Sequence, residues 1–181
     1  VVILCEDKLH RVFVTRLLKQ YGYAEHDLRI EQCPVGSGSG ESFVRRNYPG
    51  ELAAYRSRTA RAKTFLIVMI DADTGSVADR EAQLKQACEQ ASVQPRQSAE
   101  RVVHAIPKRA INTWLAWLDG QDADETTDYR AHGYAFRKCE AEVSRLVKPL
   151  HEMCKARKVP EDAPPSLKHA CGEFARIRDR L

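Results

Sequence analysis

Short apolar runs alternate along this chain with longer stretches of helical periodicity. Val1-Val-Ile-Leu-Cys5 opens it, and Thr64-Phe-Leu-Ile-Val-Met-Ile70 repeats the pattern further on. Runs of this kind, bounded by turn residues, predict buried parallel strands. Leu28–Cys33 and Val102–Ile106 supply two more. Leu9, Val12, Phe13 and Leu17 share one face of a helix predicted from Lys8 to Gln20 and stopped at Tyr21-Gly22. A second helix is expected from about Glu41 to Arg58, interrupted near Pro49-Gly50. Ser76 with Asp79 has the form of a capping box and starts a third helix that runs to about Ala91. Ile111, Trp114, Leu115 and Leu118 mark a short amphipathic helix, and Gly120 to about Tyr134 reads as a long polar loop.

Two apolar stripes follow. Cys139, Val143, Leu146, Val147, Leu150 and Cys154 form one; Leu167, Ala170, Cys171, Phe174 and Ile177 form the other, after Pro164-Pro165 with Ser166 as the expected cap. Alternating strands and helices predict an α/β fold: a parallel sheet of about four strands with right-handed crossovers, flanked by helices. Residues 1–120 would form that domain. Residues 121–181 would be a polar loop and helical extension, packed on it or serving as a partner surface.

Composition narrows the picture. At 181 residues the chain suits one domain with a core of its own. No apolar stretch is long enough to span a membrane, and no signal peptide is visible, so a cytoplasmic protein is expected. The net charge of +4 permits contact with polyanions without demanding it. Six scattered cysteines read as reduced core residues rather than a disulfide framework. His151, Cys154, His169 and Cys171 match no zinc-ligand spacing.

The candidate chemistry sits where strands end. Asp71-Ala-Asp73 follows the third strand and Glu6 follows the first. Carboxylates there lie where open α/β sheets bind ligands. Acids this close repel unless a proton or cation lies between them, and Mg²⁺ or Mn²⁺ suits oxygen ligands. The plainer alternative is that one aspartate only caps the next helix. If strands one and three are neighbours, Glu6 meets the aspartate pair. Lys108, after the fourth strand, would then reach the same edge as a phosphate contact. Pro34-Val-Gly-Ser-Gly-Ser-Gly40 lacks the lysine of a P-loop, though its N–H groups could cradle a phosphate. Arg45, Arg46, Arg56, Arg58, Arg61 and Lys63 form a basic run that would either track a nucleic-acid backbone or merely solvate a helix face. Trp114 and Tyr55 are expected in the core, and Trp117 faces away from Trp114's stripe.

In order, Leu4-Cys5-Glu6-Asp7, the Gly-Ser loop, Ile70-Asp71-Ala72-Asp73 and Ile106-Pro107-Lys108-Arg109 running into Asn112-Thr113-Trp114 resemble the Toprim family. The likeness is greatest to small stand-alone Toprim-like proteins of prokaryotes related to the nuclease half of OLD-family proteins, and it covers Val1 to Leu118. It implies a Toprim/Rossmann-like sheet and a metal-dependent nuclease acting on DNA or RNA. Glu6, Asp71 and Asp73 would hold Mg²⁺ or Mn²⁺, Glu6 alternatively serving as general acid or base, with Lys108 as an auxiliary contact. It also implies a role in defence against phage or mobile DNA, with an ATPase or sensor protein in trans. Asn112 departs from the pattern, standing where such relatives carry an acid two positions before the tryptophan. That opens a second reading, a non-catalytic Toprim-like scaffold. Asp71-Ala-Asp73-Thr74 also resembles the haloacid-dehalogenase motif, and Glu6-Asp7, Asp71 and Lys108 resemble a receiver domain with Asp71 as phosphoacceptor.

Overall fold

The computed structural model describes residues 1–132 and 136–178, the side chains of 136–141 and 176–178 excepted. Four strands alternate with helices: β1 (Val2–Cys5), α1 (Lys8–Gln20), β2 (Arg29–Gln32), α2 (Gly40–Thr59), β3 (Leu66–Met69), α3 (Val77–Gln90), β4 (Val102–Ala105) and α4 (Ile111–Leu118). Helices α5 (Phe136–Ala156) and α6 (Pro165–Arg178) close the chain. The sheet is parallel throughout, in the order β2-β1-β3-β4. The protein is therefore an α/β fold with a four-stranded parallel sheet between helices.

The two-residue strand period divides the core. Ile3, Cys5, Ile67, Met69, Val103 and Ala105 face one way, onto residues of α1, α4, α5 and α6. Val2, Leu4, Leu66, Val68 and Val102 face the other, onto α2 and α3. Strands β1, β3 and β4 are buried along their whole length, as the apolar runs of β1 and β3 require, and β4 buries His104 within its otherwise apolar run. Helices α5 and α6 share the first of these cores with the sheet, so the C-terminal segment is packed against the α/β layers.

Local signals place several elements. Asp7 caps α1 by accepting from the His10 N–H at 2.9 Å, and Ser76 and Asp79 form the reciprocal capping box that opens α3. Trp114 and Tyr55 are buried as expected. Trp117 packs against the core and donates to Asp162 at 3.1 Å.

Three expectations need correction. Helix α2 runs unbroken through Pro49-Gly50. Proline forfeits one N–H there, but burial of Val44, Tyr48, Leu52 and Tyr55 along one face holds the helix together. Ser166 is not the cap of α6. It lies in the first turn, behind Pro165 at the favoured first position, and its hydroxyl accepts from the Trp114 indole at 2.7 Å. Nor are all the cysteines reduced. Cys154 of α5 and Cys171 of α6 form a disulfide across two adjacent helices, their Cα atoms 4.9 Å apart. That bond uses both sulfurs of the loose Cys/His group. Cys5, Cys33 and Cys88 are free and buried. Cys139, Ile177 and Tyr134 fall outside the described side chains.

Candidate active site between β1 and β3

Strand β1 passes through α1 to β2 on one side, while β3 lies on its other side. The direction of winding reverses between β1 and β3. In open α/β sheets the crevice beyond the carboxyl ends at such a point is the usual ligand site. Glu6 is the first residue after β1 and Asp71 the second after β3, so the sheet register brings them together.

Glu6 Oε1 accepts the backbone N–H of Asp71 at 2.6 Å, fixing the two strand ends to each other. Gly40, the first residue of α2, presses on Glu6 from the glycine-rich loop. A Cβ at position 40 would lie 2.8 Å from Glu6 Cβ and 3.0 Å from its carbonyl oxygen. Glycine is required there by close approach, and the loop's last glycine thereby becomes a wall of the site. Burial pushes the Glu6 carboxyl up to about 7, and the charges of Asp71 and Asp73 add to the rise against the opposing pull of His10 and the Asp71 N–H.

His10 was not singled out by sequence. It is fully buried on α1, four residues past Glu6, with Nε2 3.0 Å from Asp71 Oδ1. Burial opposes its charge, but the Asp71 carboxylate and the hydrogen bond to it outweigh burial and lift the imidazole to about 10. At neutral pH the ring is an imidazolium donating to Asp71, and its Nδ1 has no hydrogen-bond partner. The available signal was a histidine on the face that also carries Leu9 and Phe13, one helical turn beyond a strand-end acid.

Asp73 stands in the left-handed region (φ 54°) with about half its side chain exposed. Its carboxyl is raised, first by burial and then by Asp71. Arg80 of α3 answers it at 3.4 Å while also holding Glu41 at the start of α2. Ser76 caps α3, so neither aspartate is spent on that cap. Arg130, in the polar segment after α4, bonds Asp128 twice at 2.8 Å and lies close enough to Asp71 and Asp73 for both charges to act on it. Lys108 is half-buried beyond β4, and no hydrogen bond or ion pair joins it to Glu6, Asp71 or Asp73. Its charge acts instead on Asp79. Asn112 is buried in the first turn of α4.

The donors suit a hard divalent cation by chemistry, since Glu6, Asp71 and Asp73 at the two strand ends offer carboxylate oxygens. As folded, among the described residues no group of three or more His, Cys, Asp or Glu side chains is gathered closely enough to hold a metal ion. Glu6 is turned to the Asp71 N–H, and Asp71 to His10.

The basic run of α2 is largely spoken for. Arg45 pairs with Glu41, Arg58 lies 3.7 Å from Glu51, and Arg56 bonds Glu100 and the Gln94 and Pro95 carbonyls. Among the described residues no helix is long and apolar enough to cross a membrane. No family model, curated protein or solved structure matches this chain.

Proposed function

We propose that the protein is a Mg²⁺- or Mn²⁺-dependent nuclease of the Toprim type. The observation that carries this reading is the meeting of Glu6 and Asp71 at the reversal point of a parallel sheet, with a carboxyl displaced to about 7. Glu6, Asp71 and Asp73 would hold the cation, which when bound supplies an activated water and neutralises charge on a phosphodiester. The chain's own residues set the stage. The Asp71 N–H orients Glu6, His10 orients Asp71, and Arg80 and Arg130 bring positive charge for a phosphate backbone. Lys108 remains an outer phosphate contact in this reading. With Glu6 turned to the Asp71 N–H and Asp71 to His10, low activity is expected of the isolated chain, raised by an ATPase or sensor protein in trans. Cytoplasmic defence against phage or mobile DNA is the setting in which such restraint is useful.

The absence of a gathered metal trio favours one second reading, a Toprim-like scaffold without catalysis. The phosphoacceptor readings gain less. Asp71 is 8% exposed with Oδ1 on His10, and it follows the third strand, where a haloacid-dehalogenase nucleophile would follow the first. The receiver reading fits that strand order, but Lys108 follows Pro107 instead of preceding it.

Labelled plasmid, single-stranded DNA and structured RNA, each incubated with Mg²⁺ or Mn²⁺, test the proposal. Cleavage should appear in wild type and vanish in Asp71→Ala and Glu6→Ala. Mn²⁺ binding by calorimetry that is lost in Asp71→Ala, with no cleavage even after a partner is supplied, would establish the scaffold. A wild type that binds no metal sinks both.

A further inference from the structure

The two edges of the sheet are finished differently. At the β4 edge, side chains occupy the backbone. Glu173 of α6 accepts the His104 N–H at 3.0 Å, and Arg96 donates to the Val102 carbonyl at 3.0 Å. Among the described residues the β2 edge has no such cover. Arg29 and Cys33 donate inward, to the carbonyls of Val1 and Cys5. By the two-residue period, the N–H and C=O of Ile30 and Gln32 point outward. No described residue bonds them. Among the described residues the large apolar side chains that are exposed, Ile30 and Val35, both lie on or just past this strand. Bare edges of this sort are templates for another strand.

We propose that β2 pairs antiparallel with β2 of a second copy of this chain, with Ile30 on the twofold axis. Charge selects the occupant and the register. Outward groups at Ile30 and Gln32 allow three symmetric alignments. An axis between Ile30 and Gln32 sets Glu31 against Glu31 of the other copy, like charges at the closest spacing. An axis at Gln32 sets Glu31 opposite Cys33 and Arg29 opposite Val35, so no opposite charges meet, and it sets Pro34, which has no N–H, opposite Ile30. The axis at Ile30 sets Arg29, which within its own chain holds Glu31 and Glu51, opposite Glu31 of the other copy twice over, so the pairs extend across the seam. It also puts two exposed isoleucines side by side on one face, and the Leu28 N–H stays on the Glu25 carbonyl at 3.1 Å. A cavity of about 440 Å³ flanks that face, lined by Ile30, Leu28, Arg11, Arg16 and Glu25. It carries both charge signs, as a self-complementary surface needs. The pairing leaves the acid crevices free, one at each end of the joined sheet.

Sedimentation across about 1 to 100 µM protein reads the outcome, with thermal melting as the check on folding. Wild type should dimerise. Ile30→Lys, which puts like charges on the axis at a site already exposed, should weaken the dimer by roughly tenfold or more without moving the melt. Arg29→Glu should weaken it, and Arg29→Glu combined with Glu31→Arg should restore it. A wild type that stays monomeric overturns the proposal and leaves the edge to an extended segment of another protein. So does a dimer indifferent to Ile30→Lys. Loss in Ile30→Lys without recovery in the charge swap overturns this register.

Discussion

Two buried histidines, His10 on α1 and His104 on β4, live in opposite electrostatic worlds. His10 is ringed by Asp71, Asp7 and Glu6, and its imidazole is lifted to about 10. His104 bonds the Tyr48 hydroxyl at 2.9 Å, and burial, the largest influence, pushes it below its ordinary value. The Arg96 charge adds to that fall, against the pull of Glu81 and Glu173. Around His104 each charged group is held at close range: Glu173 meets Arg96, each also satisfies a backbone group of β4, and Glu81 lies 3.4 Å from Arg96 and 3.8 Å from His104. Around His10 the acids are less closely answered. Glu6, Asp71 and Asp73 share one imidazolium, an arginine already committed to Glu41 and the more distant charge of Arg130, itself bonded to Asp128. A polar cluster built for stability closes its accounts locally. One built to receive something leaves acids only partly answered, and the acids here lie at the crevice where open parallel sheets usually take a ligand.

Breaking the His104 cluster should have the largest effect. Glu173→Ala leaves the partly buried Arg96 guanidinium with Glu81 and the Val102 carbonyl as partners, and it leaves the His104 N–H without its carboxylate. It should cost about 3 kcal/mol in urea unfolding while leaving Mn²⁺ affinity unchanged. A loss under about 1 kcal/mol would mean that the β4 edge is held by packing alone.

Asp71→Asn tests the His10 side. It removes the counter-charge of a fully buried imidazolium, so a cost of about 2 kcal/mol is expected at pH 7, after partial relief of Glu6. The pH dependence has a definite sign. The folded pKa of His10 is raised, so its stabilisation is complete below about 6.5 and is lost as pH climbs to about 10. The two proteins should therefore converge in alkaline solution. NMR titration of the His10 ring should show its pKa falling from about 10 to below 6.5 in the variant. An unmoved titration would remove Asp71 as its partner.

Much of this contrast was legible in the sequence on one side only. Strand-end acids are a local pattern, so Glu6, Asp71 and Asp73 could be placed at one edge, and β1 and β3 are indeed neighbours. The parallel α/β fold was legible for the same reason, since periods of two and 3.6 are properties of short segments. Partners far apart were not legible. His10 and Asp71 are 61 residues apart, and Arg96 and Glu173 are 77. Nothing local distinguishes a histidine beneath an acid from a histidine packed in a core. The Cys154–Cys171 disulfide escaped because 17 residues and two helices separate its ends, and only the packing of α5 against α6 brings them together. Pro49 misled because helix rules weigh the lost N–H and not the buried face of α2 that outweighs it.

Glu6→Gln gives the smallest effect and the sharpest division, because its sign differs from every ordinary core substitution. The amide oxygen can still accept the Asp71 N–H, so geometry is kept. The charge is not kept, and in wild type that charge is unwelcome. A carboxyl raised to about 7 holds its proton more tightly folded than unfolded, so wild-type stability falls as pH rises from about 4.5 to 7. The variant lacks that fall. It should match wild type near pH 4 and exceed it by about 1–2 kcal/mol at pH 8, while losing metal binding and cleavage. A Glu6 that served only to tie β1 to β3, as Glu173 ties α6 to β4, would give a variant no more stable than wild type at any pH. Stability gained together with function lost is the signature of a residue retained for its charge.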